Sequence, residues 1–253
     1  MGRLFLFEAR KLARQKSLFI CLAIAVVLII LNAAVIAMME KLTGDESGII
    51  IFGVASFTKN AFSNSSFFLL LSVIITLFCC DDYSNGTIKN IYSKGYSHAQ
   101  VYFTKYLFSL ALSLVLASLC ILISYIIGVA FAKRDDCGNL GAVMVCELVT
   151  VIGYHGIFFA VSMMLCKVGG SLAINILAPT VFGLVLSLST LLLQSTVENT
   201  KVDFGYIWFE TVYNELSAST VEAKEYVRAV LMSLIYAGGF ITLGYFVNRR
   251  KEV

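Results

Sequence analysis

The residues of this chain whose types and spacing could do chemistry gather in one polar island. Asp81, Asp82, Ser84, Asn85, Gly86, Thr87, Ile88, Lys89, Ile91, Tyr92, Lys94 and Gly95 lie between two long apolar runs. Carboxylates, hydroxyls, an amide and ammoniums in one short segment suit recognition of a partner. Ser84 or Asn85 can cap a short helix, residues 87–94 give it about two turns, and Gly95 suits its stop. Ile88 and Ile91, or Ile88 and Tyr92, then share one face at i, i+3/i+4 spacing. An apolar stripe outside a membrane needs a groove on lipid or on a protein. The segment therefore reads as a docking element or as a plain surface loop.

Catalytic and metal-ligating residues are not found. The two histidines, His98 and His155, are far apart in the chain, and HExxH does not occur. GxxxxGK[ST] is also missing, and Gly169-Gly170-Ser171 is too short to cradle phosphates. Nothing points to nucleic acid. His155 falls near the middle of an apolar run, where an ionisable residue is by default a functional hypothesis. It reads either as a pathway residue or as a neutral imidazole bonded to a neighbouring helix. Asn32 and Asn175 carry the same two readings, pathway lining or interhelical hydrogen bonding. Seven cysteines are scattered, and most lie within apolar runs as small packing residues; Cys137 and Cys146 could instead pair across one outer loop.

The elements that must position these residues are membrane spans. Of 253 residues, 59% are hydrophobic and 14% charged, against roughly 45–50% and 25% in soluble domains. The expected class is an all-α polytopic membrane protein of one domain, residues 1–253. Six spans are expected at 17–39, 61–80, 102–132, 140–166, 171–193 and 227–247. Pro179 sits inside the fifth as an expected kink. Before the first span, residues 2–16 have the period of an amphipathic helix: Phe5 and Leu12 fall on one side, Arg3, Arg10 and Arg14 on the other. Such a helix lies along an anionic membrane surface.

Six spans put both termini on one side. That side carries twelve basic and four acidic residues, and the opposite side seven basic and twelve acidic. The positive-inside rule therefore makes the termini and the 81–101 loop cytoplasmic, in a plasma membrane. Residues 167–170 make a tight inner hairpin. The outer segment 194–226 is acidic and carries Phe204, Tyr206, Trp208 and Phe209. It reads as short helices dipping into the outer leaflet, or as an ordinary loop with an aromatic belt.

The run Asp-Tyr-Ser-Asn-Gly-Thr-Ile-Lys-Asn at 82–90, followed by Ser93-Lys94-Gly95-Tyr96-Ser97 and Lys105, resembles the loop after the second span in type-two ABC exporter permeases. The layout of the whole chain is similar to that family as well. The family often has Glu before Gly-Thr, where Asp81 and Asp82 stand here. The resemblance implies a coupling helix at 84–95 that inserts into a separate ATPase subunit. It implies two ATPase copies, which bind the ATP and Mg, with no cofactor on this chain. A second permease chain, identical or paralogous, is implied beside it in the lipid bilayer of a bacterial plasma membrane. The small permeases it resembles export or expel antimicrobial peptides, small toxic compounds or lipids. A second hypothesis is a membrane scaffold or sensor docking a partner that is not an ATPase. A third, a secondary transporter, predicts inverted repeats, and no clear repeat is seen.

Overall fold

The computed structural model describes residues 2–43, 53–59, 66–131, 140–196, 208, 211–212, 216 and 221–250. Its helices, in chain order, are α1 (Gly2–Arg14), α2 (Lys16–Thr43), α3 (Val54–Lys59), α4 (Ser66–Ser84), α5 (Thr87–Ser93), α6 (His98–Phe131), α7 (Leu140–Leu165), α8 (Val168–Thr196) and α9 (Ala223–Arg249). Five of them, α4 and α6 to α9, are long and apolar enough to cross a membrane, and α2 contains a shorter apolar stretch, Phe19–Val35. Uninterrupted apolar runs with internally satisfied backbones can only be helices in lipid. The chain is an all-α polytopic membrane protein.

The core forms where α4, α6 and α7 meet. Leu71, Ile75 and Phe78 of α4, Tyr102 and Ala117 of α6, and Val151, Phe159 and Met163 of α7 are almost wholly enclosed. α9 lies against α7 at backbone distance. A Cβ at Gly156 would sit 2.7 Å from Ala237 Cα, and one at Gly244 would press on Ala160. Small residues allow this approach, which compensates for the missing hydrophobic drive between helices in lipid. Tyr102 Oη also donates to the carbonyl of Ile241 at 2.9 Å, tying α6 to α9.

Several local expectations change. α4 does not stop at Asp81 and Asp82 but runs one turn further to Ser84, because Asp82 finds charged partners inside the fold. The α7–α8 hairpin is tighter than residues 167–170: only Cys166 and Lys167 lie outside helix, and Gly169 and Gly170 belong to α8. Cys166 turns the chain with φ 56°, a left-handed conformation that is unusual for a non-glycine residue. α1 is amphipathic as expected, with Phe5 and Leu6 exposed. Its inner face carries Leu4 and Glu8, both buried, and Phe5 meets Phe108 of α6 at 4.9 Å between ring centroids. Phe204, Tyr206, Phe209 and Cys137 lie outside the described residues, as does most of segment 194–226.

Candidate functional site

The polar island folds as a turn, a short helix and a second turn. Neither Ser84 nor Asn85 caps α5. Ser84 Oγ donates back to the Cys80 carbonyl at 3.0 Å, and Asn85 Nδ2 donates to Asp81 Oδ1 at 2.8 Å. Gly86 takes the cap position with φ 68° and no side-chain bond, a conformation that glycine enters without a Cβ penalty. Thr87 then fixes the helix start by sharing its hydroxyl proton between the Asp82 carbonyl and Asp82 Oδ1, at 3.2 and 3.1 Å. At the far end Gly95, at φ 84°, donates its N–H to the Tyr92 carbonyl at 2.9 Å and stops the helix as expected.

The apolar stripe of α5 faces inward. Ile88 and Ile91 are buried with Leu4 of α1 and Val101 of α6, and Tyr83, Tyr92 and Tyr96 pack against them. The expected groove for this stripe is supplied by the chain's own helices, so these two isoleucines do not present themselves to a partner. Tyr92 stacks on His98 with ring centroids 4.5 Å apart. Burial raises the Tyr92 hydroxyl pKa above its ordinary value. The exposed surface is polar: Ser84, Asn85, Gly86, Lys89, Asn90, Ser93, Lys94 and Gly95.

Beneath α5 lies a network of buried charge. Lys105, seven residues or about 10 Å into α6, is fully buried. Its ammonium pairs with Asp82 Oδ2 of α4 and lies 3.1 Å from Glu8 Oε1 of α1. Lys11 of α1 reaches Asp82 Oδ1 at 2.8 Å and Asp81 at 3.3 Å. Both ammoniums also sit over the Phe78 ring, 5.3 and 5.6 Å from its centroid. The inner four charges balance, which is the condition for keeping ions out of water. Glu8 is the least well held: Lys105 is within ion-pair distance, but neither carboxylate oxygen accepts a hydrogen bond. A groove of about 370 Å³ opens onto the network between α1 and the α4–α5 turn, lined by Phe7, Arg10, Lys11, Asp81, Asp82, Asn85 and Thr87.

Three helices are therefore tied to α4 at one point. Asp82 holds α1 through Lys11, α6 through Lys105 and α5 through Thr87. The last helix joins at the same level: Asn248 Nδ2 of α9 donates to Tyr83 Oη at 3.2 Å and to the Met163 carbonyl at 2.9 Å.

The three polar residues weighed as pathway candidates sit differently. His155 is fully buried, with Ser109 Oγ 3.2 Å from Nε2 and Ser113 Oγ 3.0 Å from Nδ1. Both ring nitrogens are used in joining α6 to α7. Asn175 donates to Thr76 Oγ1 of α4, and to the Phe158 carbonyl and Ser162 Oγ of α7, at 3.0 to 3.3 Å. Asn32 is half-buried on α2 and belongs to neither group. Of the interfacial residues, Arg10 is exposed and lines the groove, while Leu12 packs on the core. Trp208, from the outer segment, is buried against Phe182 of α8.

Sequence reasoning did not pick out Glu8 and Lys11 as site residues. The available signal was Glu8 itself, the single acid on a basic helix, one turn from Lys11 on the same face. Lys105, placed within an otherwise apolar run, was the corresponding sign on α6. Among the described residues, no group of three or more His, Cys, Asp and Glu could hold a metal ion.

A family model described as ABC-2 family transporter protein matches residues 4–190, a span that runs from α1 into α8. No curated protein and no solved structure gives a significant match. The helical membrane bundle and the match over most of its length lead to one conclusion: this chain belongs to the ABC-2 transporter family and is a membrane permease component of an ABC transporter.

Proposed function

We propose that this permease is the membrane-spanning subunit of an ATP-driven exporter. It moves an amphipathic or hydrophobic cargo, a peptide, drug or lipid, out of the cell or the membrane. The membrane is a bacterial plasma membrane, with both termini cytoplasmic. ATP and Mg bind on two copies of a separate ATPase, and a second permease chain completes the pathway.

The observation that carries this reading is the joint at Asp82. α5 offers a polar outer surface with Lys89 and Lys94, while its inner face is locked to α1, α4 and α6 by Ile88, Ile91 and Thr87. A helix that is exposed on one side and rigidly tied on the other can transmit a displacement from a docked partner. ATP-driven closure of the ATPase moves α5, and the spans carry the motion as rigid elements. In this account Ile88 and Ile91 act as anchors of the coupling helix, and contact with the ATPase falls to its polar face.

The test is isolation of the chain from its own membrane under mild conditions. The expected result is a stoichiometric ATPase with phosphate-binding motifs, lost when Lys89 and Lys94 are both changed to Glu. Recovery of the folded chain without any ATPase would favour a scaffold or sensor role instead.

A further inference from the structure

The family match ends at residue 190, so α9 lies beyond it, yet α9 reaches the joint at α5. Ala237, Ile241, Gly244 and Asn248 recur at i, i+4, i+7 and i+11 and share one face of the helix. Ala237 packs on Gly156 of α7 and Gly244 on Ala160, while the Ile241 carbonyl accepts from Tyr102 of α6. This packing sets the register of α9 and carries Asn248 to the inner end of α7. There Asn248 is 3% exposed.

The bonds of Asn248 have a direction. The Met163 carbonyl can only accept, so the group that meets it at 2.9 Å is the amide nitrogen, Nδ2. The second proton of that nitrogen goes to Tyr83 Oη at 3.2 Å. The Tyr83 hydroxyl is hydrogen-bonded in turn to that of Tyr92 on α5, and the Tyr92 ring is stacked on His98 of α6. α5 is thus held at both ends by different means. Thr87 and Asp82 hold its start, and Tyr92, Tyr83 and Asn248 hold its finish. The α7–α8 turn joins the second hold, since Cys166, at φ 56°, places its Sγ 3.8 Å from the same Nδ2.

We propose that Asn248 is a positioning residue of the coupling joint: through Tyr83 and Tyr92 it ties the last turn of α5 to α7 and α9. The first hold joins α5 to α1, α4 and α6, and the second adds the last span, which then follows α5 when that helix is displaced. Asn248 is enclosed, so its loss weakens coupling rather than docking. That an ATPase displaces α5 rests on the exporter reading; the hold itself does not.

Amide hydrogen exchange tests the hold in the permease alone, reconstituted in lipid nanodiscs without ATPase. The reporters are the Lys94 and Gly95 N–H groups, which close the last turn of α5 on the Ile91 and Tyr92 carbonyls. Asn248→Leu, Tyr83→Phe and Tyr92→Phe should each speed their exchange about fivefold, the worth of one net hydrogen bond. Asn248→Leu made on top of Tyr83→Phe should add nothing, because the route through the hydroxyl is already cut. Unchanged exchange in the folded Tyr83→Phe protein, which loses a single oxygen, would overturn the proposal. So would additive effects of the two changes, which would mean that Asn248 only caps the end of α7. With the ATPase present, Asn248→Leu should keep its association and lower stimulated hydrolysis several-fold, and normal stimulation would overturn the coupling role. Failure to recover any ATPase would remove the exporter reading and leave the exchange result to judge the hold.

Discussion

α7 and α8 are consecutive helices of nearly equal length, joined by two residues, and they live in opposite surroundings. α7 is enclosed by α4, α6 and α9 along most of its course, whereas α8 leaves Leu177, Val181, Leu184, Leu188 and Leu191 exposed. Mean hydropathy does not separate them, since the more exposed helix is the more apolar of the two. What separates them is the kind of residue present. α7 carries Gly156, which admits the α9 backbone, and polar groups that find partners, His155 and Ser162 among them. α8 carries branched and aromatic side chains suited to lipid or to a second chain. The same contrast recurs across α5, whose inner face is Ile88 and Ile91 and whose outer face is Lys89 and Lys94. Interior faces set stability, and exterior faces are left for lipid or a partner.

That contrast can be broken most forcefully at Lys105. Lys105→Met leaves Glu8 and Asp82 buried without their shared cation, and should destabilise the fold by about 3–5 kcal/mol, read as a lower unfolding temperature in detergent. A smaller drop is expected for Ile88→Ala, about 2–4 kcal/mol for a buried aliphatic truncated to a methyl. Unchanged stability there would return Ile88 to the outer, partner-facing side. Gly156→Ala places a methyl against the Ala237 backbone and should cost about 1–3 kcal/mol by overpacking, again read in thermal unfolding. At the other extreme, Leu188→Ser on the exposed face of α8 should change the stability of the single chain by less than about 0.5 kcal/mol in detergent. Any larger loss would show that α8 packs more intimately than its exposure indicates.

The membrane class, the helix at α5 and its stop at Gly95 were legible in the sequence, because run length and glycine placement act locally. Asp82 was legible as a polar residue at the end of a span, but its partners were not. Glu8, Lys11 and Lys105 are brought to it from three helices, and no spacing along the chain encodes that meeting. The burial of Ile88 and Ile91 was missed for the same reason. A stripe at i, i+3 shows that a face will be covered and leaves open whether Leu4 and Val101 or another protein covers it. His155 and Asn175 were ambiguous until Ser109, Ser113 and Thr76 appeared on facing helices. The burial of Trp208 depended on Phe182, which lies far from it in the chain.

The proposed role of α5 as the joint between this permease and a partner ATPase has one direct measurement. ATP hydrolysis by the purified complex is compared with that of a variant carrying Lys89→Glu and Lys94→Glu, both on the exposed face of α5. The expected result is an unchanged unfolding temperature of the permease, with ATPase association and stimulated hydrolysis lost together. Full association and normal stimulation in that folded variant would contradict the account and move the coupling surface away from α5.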